Sequence, residues 1–212
     1  QILLNMSSIQ IDMEIIKRTM QYLTDSYSSK DTNKIKEAVK GLETLSADFV
    51  SHFQVILKIL SLDEKDANSD LKKSAAVYLK NLTLSKIKQL SKEDIISIFQ
   101  SIITVMLDPS TQSIKSNQAI SNIINNLIYS ILNLNTFFSE PALIKNILSF
   151  FTSTITKAPE AQYIIVAKSV LSLLSTVIGS KALNSENIKD TIQEILTSID
   201  DIQTSKVVIS TI

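Results

Sequence analysis

Residues Asp70 to Leu82 read DLKKSAAVYLKNL, and this stretch decides the fold class. Leu71, Ala75, Tyr78, Leu79 and Leu82 recur at the i, i+4, i+7, i+8, i+11 spacing of one helix face, while Ala75 and Ala76 are small enough to admit a close neighbour. The spacing predicts an amphipathic helix whose apolar side packs on other helices. Upstream, Phe49, Phe53, Ile56 and Leu60 keep the same period, as do Ile16, Met20 and Leu23, then Ile35, Val39 and Leu42. Downstream it returns in Ile95, Phe99, Ile102 and Met106, and in Ile120, Ile124, Leu127 and Ile131. Further stripes start at Ile144, Val166 and Ile188.

Laid out along the chain, these stripes predict helix pairs over 11–26 with 31–46, 47–62 with 69–84, 92–107 with 112–133 and 140–156 with 160–179, then a last helix over 186–203. First helices start near 11, 47, 92, 140 and 186. The resulting intervals of about 36 to 48 residues bracket the period of about 40–47 residues seen in HEAT and armadillo repeats. The expected architecture is all-α, a right-handed α-solenoid of HEAT/armadillo-like helical hairpins. About four and a half repeats would occupy 11–212, after an N-terminal extension over 1–10. Met6, followed by Ser7 and Ser8, reads as an initiator, and Val207 to Ile212 reads as the start of a further helix, so the chain is expected to be the N-terminal part of a longer molecule.

Composition agrees with helices. Only 2 glycines and 3 prolines occur in 212 residues, against average usages of about 7% and 5%, and both residues punctuate strands and turns. Pro109 and Pro159 fall between paired helices, Ser139, Glu140 and Pro141 read as an N-cap with an early proline, and Ser91 with Asp94 reads as a capping box. With 44% hydrophobic and 20% charged residues the chain can bury a core. Formal net charge is zero, giving no global electrostatic case for nucleic acid or an anionic membrane. Locally, Lys30 to Lys92 holds 12 lysines against 8 acids and Glu160 to Asp201 holds 3 against 6, so the two regions differ in sign. No cysteine is present for a disulfide or a thiolate metal site. No apolar run approaches the ~18 residues that span a bilayer, so membrane insertion is not expected.

Catalytic constellations are not evident. The single histidine, His52, lies in an apolar helix and reads as a surface or interface residue rather than a base, since no second base or orienting acid accompanies it. Gly41 and Gly179 are too far apart for a phosphate loop. Asp66, Asn68 and Asp70 alternate like calcium ligands, but Leu71 stands where that loop needs glycine and Val77 where it needs glutamate, so a solvated turn is expected and no metal or cofactor. Glu93 and Asp94 read as first-turn acids, Asp200 and Asp201 as a helix-end turn, and the Asn81-Leu82-Thr83 sequon as chance.

One family resemblance rests on the opening stretch. Lys72, Lys73, Ala75, Ala76, Tyr78, Leu79, Lys80 and Asn81 resemble the second helix of the second repeat in nuclear transport receptors of the importin-β superfamily, where a basic residue precedes paired small residues and a Tyr-Leu-Lys-Asn run. Asp48, Phe49 and Val50 are similar to the entry of that repeat's first helix, and Lys92 to Ile95 to the start of the next; the chain departs from the family pattern in lacking tryptophan. The resemblance implies a receptor that binds the small GTPase Ran in its GTP form through its first repeats, carries protein cargo and engages phenylalanine-glycine nucleoporins. Such a receptor works in cytoplasm, nucleus and nuclear pore. Second helices would line the concave surface, placing Lys73, Lys80 and Asn81 on or near the Ran-facing side, with Lys34, Lys36 and Lys40 extending it. The alternatives are a static HEAT-repeat scaffold in a cytosolic complex without GTPase dependence, and a hydrolase cofactor or regulatory subunit.

Overall fold

Six short polar side chains, each placed just before an apolar run, set the helix starts. Asp12 accepts from the Glu14 N–H at 2.8 Å, Asp31 from Asn33 at 2.9 Å, and Asn68 from Leu71 at 2.9 Å. Asp48 accepts from the Ser51 N–H at 3.2 Å and from its hydroxyl at 2.6 Å, and these bonds hold the Asp48 carboxyl below its ordinary value. Asn117 accepts from Ala119 at 3.1 Å. Ser91 accepts from the Asp94 N–H at 3.1 Å and donates to the Asp94 carboxylate at 2.7 Å, so the expected capping box closes through the hydroxyl. Each bond from a backbone N–H satisfies a donor that the first helical turn leaves without a carbonyl.

In this computed structural model residues 12–108, 111 and 117–134 are described, together with 149, 153, 175, 193 and 197. Among the described residues the caps open α1 (Met13–Ser28), α2 (Thr32–Leu45), α3 (Phe49–Ser61), α4 (Ser69–Lys86), α5 (Lys92–Leu107) and α6 (Gln118–Leu132). There is no strand among them. A 3-10 turn, Ile87–Gln89, tightens the end of α4, and the buried Thr111 hydroxyl donates to the Val105 carbonyl at 2.8 Å near the end of α5. The first five expected helices agree with the structure to within about two residues; the sixth starts at Gln118 rather than near 112. The segments 140–156, 160–179 and 186–203 lie outside the described residues except at 149, 153, 175, 193 and 197, all helical. So do the extension, Met6, all three prolines, the Asp200–Asp201 pair and Val207 to Ile212.

The chain divides into two compact units, residues 1–106 with 110–127, and 107–109 with 128–212. In the first, α1 packs on α2, α3 and α4, and α3 packs on α4. The core residues are the predicted stripes with local changes. Ile16 and Leu23 of α1, Leu42 of α2, Phe53, Ile56 and Leu60 of α3, and Ala75, Ala76, Leu79 and Leu82 of α4 are buried. All four stripe residues of α5 are buried as well, and so are Ile120, Ile124 and Leu127 of α6. In the second unit Ile128, Ile131 and Leu132 are buried, while Tyr129 is exposed.

Two side-chain bonds join helices at long sequence separation. The Tyr78 hydroxyl on α4 donates to the Leu42 carbonyl on α2 at 3.3 Å, across 36 residues. Asn117, at the start of α6, donates to the Ser69 hydroxyl at the start of α4 at 2.6 Å, across 48 residues. The second bond sets the two N-termini side by side.

Lys72 corrects the expected core of α4, and Gly41 carries a second close approach. Leu71 is only half-buried; the neighbouring Lys72 takes its place on the buried face. Its ammonium donates to the Leu62 carbonyl at the C-terminal end of α3, where the helix dipole favours a cation. Burial pushes this lysine below its ordinary value, opposed by the Glu64 and Asp63 carboxylates in the following turn. Lys72→Met keeps the stem and deletes the bond, so urea denaturation at pH 7 is expected to show a loss of about 2 kcal/mol. An unchanged midpoint would mean that the ammonium contributes nothing to the α3–α4 junction. Gly41 allows the other close approach. A Cβ there would lie 2.5 Å from Cε2 and Cζ of Tyr22, so the glycine lets α2 sit against the α1 ring despite its helix cost of about 1 kcal/mol.

Candidate functional site

The segment that carries alternating acids is a turn. Asp63 accepts through its backbone carbonyl from the N–H groups of Asp66 and Ala67 at 3.1 and 2.9 Å, Asn68 is spent as the cap of α4, and Asp63, Glu64, Asp66 and Asp70 are exposed. An exposed Lys65–Asp63 pair at 3.7 Å adds little. Among the described residues no group of three or more metal-ligating side chains gathers, and no helix is long and apolar enough to cross a membrane.

His52 is a buried residue, 2% exposed, where a surface or interface position was expected. Both ring nitrogens lack a hydrogen-bond partner, and the ring meets Tyr78 edge-on with centroids 5.7 Å apart and planes at 79°. Burial pushes it down from 6.5 to about 4. A neutral imidazole sealed between α3 and α4 packs as an aromatic, and its position there follows from the i, i+3, i+4 face it shares with Phe49 and Phe53.

The lysines that the resemblance places on the Ran-facing side, unlike the buried Lys72, reach the surface. On α4, Lys73 and Asn81 are exposed and Lys80 is half-buried; on α2, Lys34, Lys36 and Lys40 are all exposed. None of these five lysines has an ion-pair partner. Val77 and Leu84 share the α4 side with Lys80 and Asn81, half-buried and exposed respectively. The Tyr78–Leu42 bond brings the two lysine-bearing helices together.

Beside that bond lies a groove of about 280 Å³ lined by Ser26, Tyr27, Val39, Leu42, Glu43 and Tyr78. Tyr78 is pushed up to about 12, chiefly by burial; the Ser46 hydroxyl opposes this, and the neighbouring Tyr27 and Glu43 acids add to it. Burial raises Tyr27 too. Val39, expected in the core, is 43% exposed on the groove wall, and Ala38 is buried in its place. The sequence carries no signal for the groove, because its walls come from three helices and the exposure of Val39 beside the buried Ala38 depends on how α2 sits against its neighbours.

Comparison with protein-family models, curated proteins and solved structures finds no match to this chain.

Proposed function

We propose that the chain is a stretch of right-handed α-solenoid made of HEAT-like hairpins and works as a nuclear transport receptor of the importin-β type. In this reading α2 and α4 are second helices of successive repeats, and Lys73, Lys80 and Asn81, with Lys34, Lys36 and Lys40, face Ran in its GTP form. Protein cargo and phenylalanine-glycine nucleoporins would bind elsewhere on the same receptor as it passes between cytoplasm and nucleus. No chemical step is involved. The observation that carries the reading is the set of five unpaired lysines on two helices joined at Tyr78 and Leu42. Charges left unneutralised by their own chain are those that an acidic partner surface can pair. Support for the solenoid comes from the bonds across 36 and 48 residues.

The direct test immobilises the chain and compares Ran loaded with a non-hydrolysable GTP analogue against Ran loaded with GDP. Retention of the GTP form alone is expected. Charge reversal by Lys73→Glu with Lys80→Glu is expected to weaken it tenfold or more, about 1.4 kcal/mol. Equal retention of both forms, or of neither, would remove the transport reading for this chain.

A static helical scaffold is the second reading, favoured by one specific finding. Lys72, Ala75, Ala76 and Leu79, which carry much of the resemblance, are buried packing residues, so the motif speaks first for how two hairpins fit and only second for a partner. A scaffold would treat the two nucleotide states alike.

A further inference from the structure

The groove between the end of α1, α2 and α4 has features that hairpin packing leaves unused. Tyr27 and Val39 are 47% and 43% exposed at its walls, a pair of large side chains with an unpartnered flank. Glu43 stands on the same wall as Val39, one helical turn on, and has no ion-pair partner, Lys40 three residues before it included. Glu43 and Tyr78 line the same groove. Tyr78 itself is committed to the Leu42 carbonyl. The result is a slot for one long side chain, with two phenol rings, an aliphatic wall and a single free carboxylate.

We infer that this groove receives an arginine side chain presented by a partner protein. A guanidinium stacks on tyrosine and pairs with a carboxylate through two parallel N–H bonds, while its three-carbon stem covers Val39 and Leu42. Charge complementarity selects a cation over apolar and acidic occupants, and the two phenol rings favour a planar guanidinium over the ammonium of lysine. An apolar side chain would strip water from Glu43 and leave the carboxylate unpaired, and an acidic one would be repelled by it. The inference does not depend on Ran binding, since none of Lys73, Lys80 and Asn81 lines the groove.

The test titrates the isotope-labelled 212-residue chain with the blocked tripeptide Gly-Arg-Gly and follows amide chemical shifts. Two companions replace arginine by citrulline, its neutral isostere, and by phenylalanine. The arginine peptide is expected to shift the amides around Tyr27, Val39 and Glu43 in a saturable manner, with a Kd of about 1 mM, and to bind about tenfold more tightly than the citrulline peptide. Glu43→Gln, an exposed and nearly isosteric change, should abolish that preference. Tyr27→Ala should weaken the arginine peptide about fivefold. Equal binding of arginine and citrulline, a preference for phenylalanine, shifts centred elsewhere, or no saturable shift would each overturn the assignment.

Discussion

Lowering the pH from 7 to 4 is expected to remove about 3 kcal/mol of stability from the first unit through His52 alone. The buried ring is held near 4, below the 6.5 of an unconstrained histidine. As pH falls, the unfolded chain therefore takes up a proton first. Stability from this residue is complete above 6.5, declines as pH drops through the interval and levels off below about 4. At about 1.4 kcal/mol per pH unit, the gap between the two values gives the stated magnitude. His52→Phe keeps an aromatic ring against Tyr78 and has nothing to protonate, so the difference between wild type and variant isolates the histidine from carboxylates that titrate nearby, Asp48 included. Denaturant unfolding of both proteins at pH 7, 5.5 and 4.5 measures it, with the variant gaining relative to wild type at each step. Because His52 is the sole histidine, its ring proton resonances report the folded value unambiguously. A midpoint near 6.5 in the folded protein would show that the ring is hydrated and would remove the effect.

Phe53→Ala is expected to cost about 4 kcal/mol, most of the margin by which a typical domain stays folded. Phe53 is 1% exposed and its ring lies 5.9 Å from that of Phe49 at a tilt of 37°. It belongs to α3, in which Phe49, His52, Phe53, Val55, Ile56, Leu57, Ile59 and Leu60 are all buried. A helix enclosed on nearly every side cannot relax into the void that a deleted ring leaves, so both the lost transfer energy and the cavity count. Val50→Ala on the same helix is the control. Val50 is 42% exposed, and its truncation should stay within about 0.5 kcal/mol of wild type. Similar unfolding midpoints for the two variants would mean that α3 is not the centre of the core.

The enclosure of α3 also explains which parts of the fold were legible in the residues. Apolar period and caps are local properties, so Asp12, Asp31, Asp48, Asn68, Ser91 and Asn117, followed by their stripes, define where helices start. Stripe centres such as Ile56, Leu79, Phe99 and Leu127 are buried as the period requires. Edges of stripes are different. Thr19 is buried while Met20 is only half-buried, Ala38 is buried where Val39 is exposed, and Lys72 replaces Leu71. A rotation of tens of degrees about the helix axis decides each of these, and it depends on the shape of the neighbouring helix rather than on hydrophobicity. The lysine face was legible as a helix surface because charge at i and i+7 stays on one side. The groove was not, because Tyr27, Glu43 and Tyr78 meet only when α1, α2 and α4 are packed.

By itself, then, the amino-acid order determined that this region is helical, where the first five described helices begin and which residues form the apolar centres, because period and capping act within a few residues of chain. Only tertiary structure decided that a lysine would close the end of α3, that a histidine would be sealed in neutral form and that a tyrosine of α4 would bond the backbone of α2. Those outcomes depend on desolvation and on partners 10 to 36 residues away, and the free energy of a buried polar group is settled by what surrounds it in space.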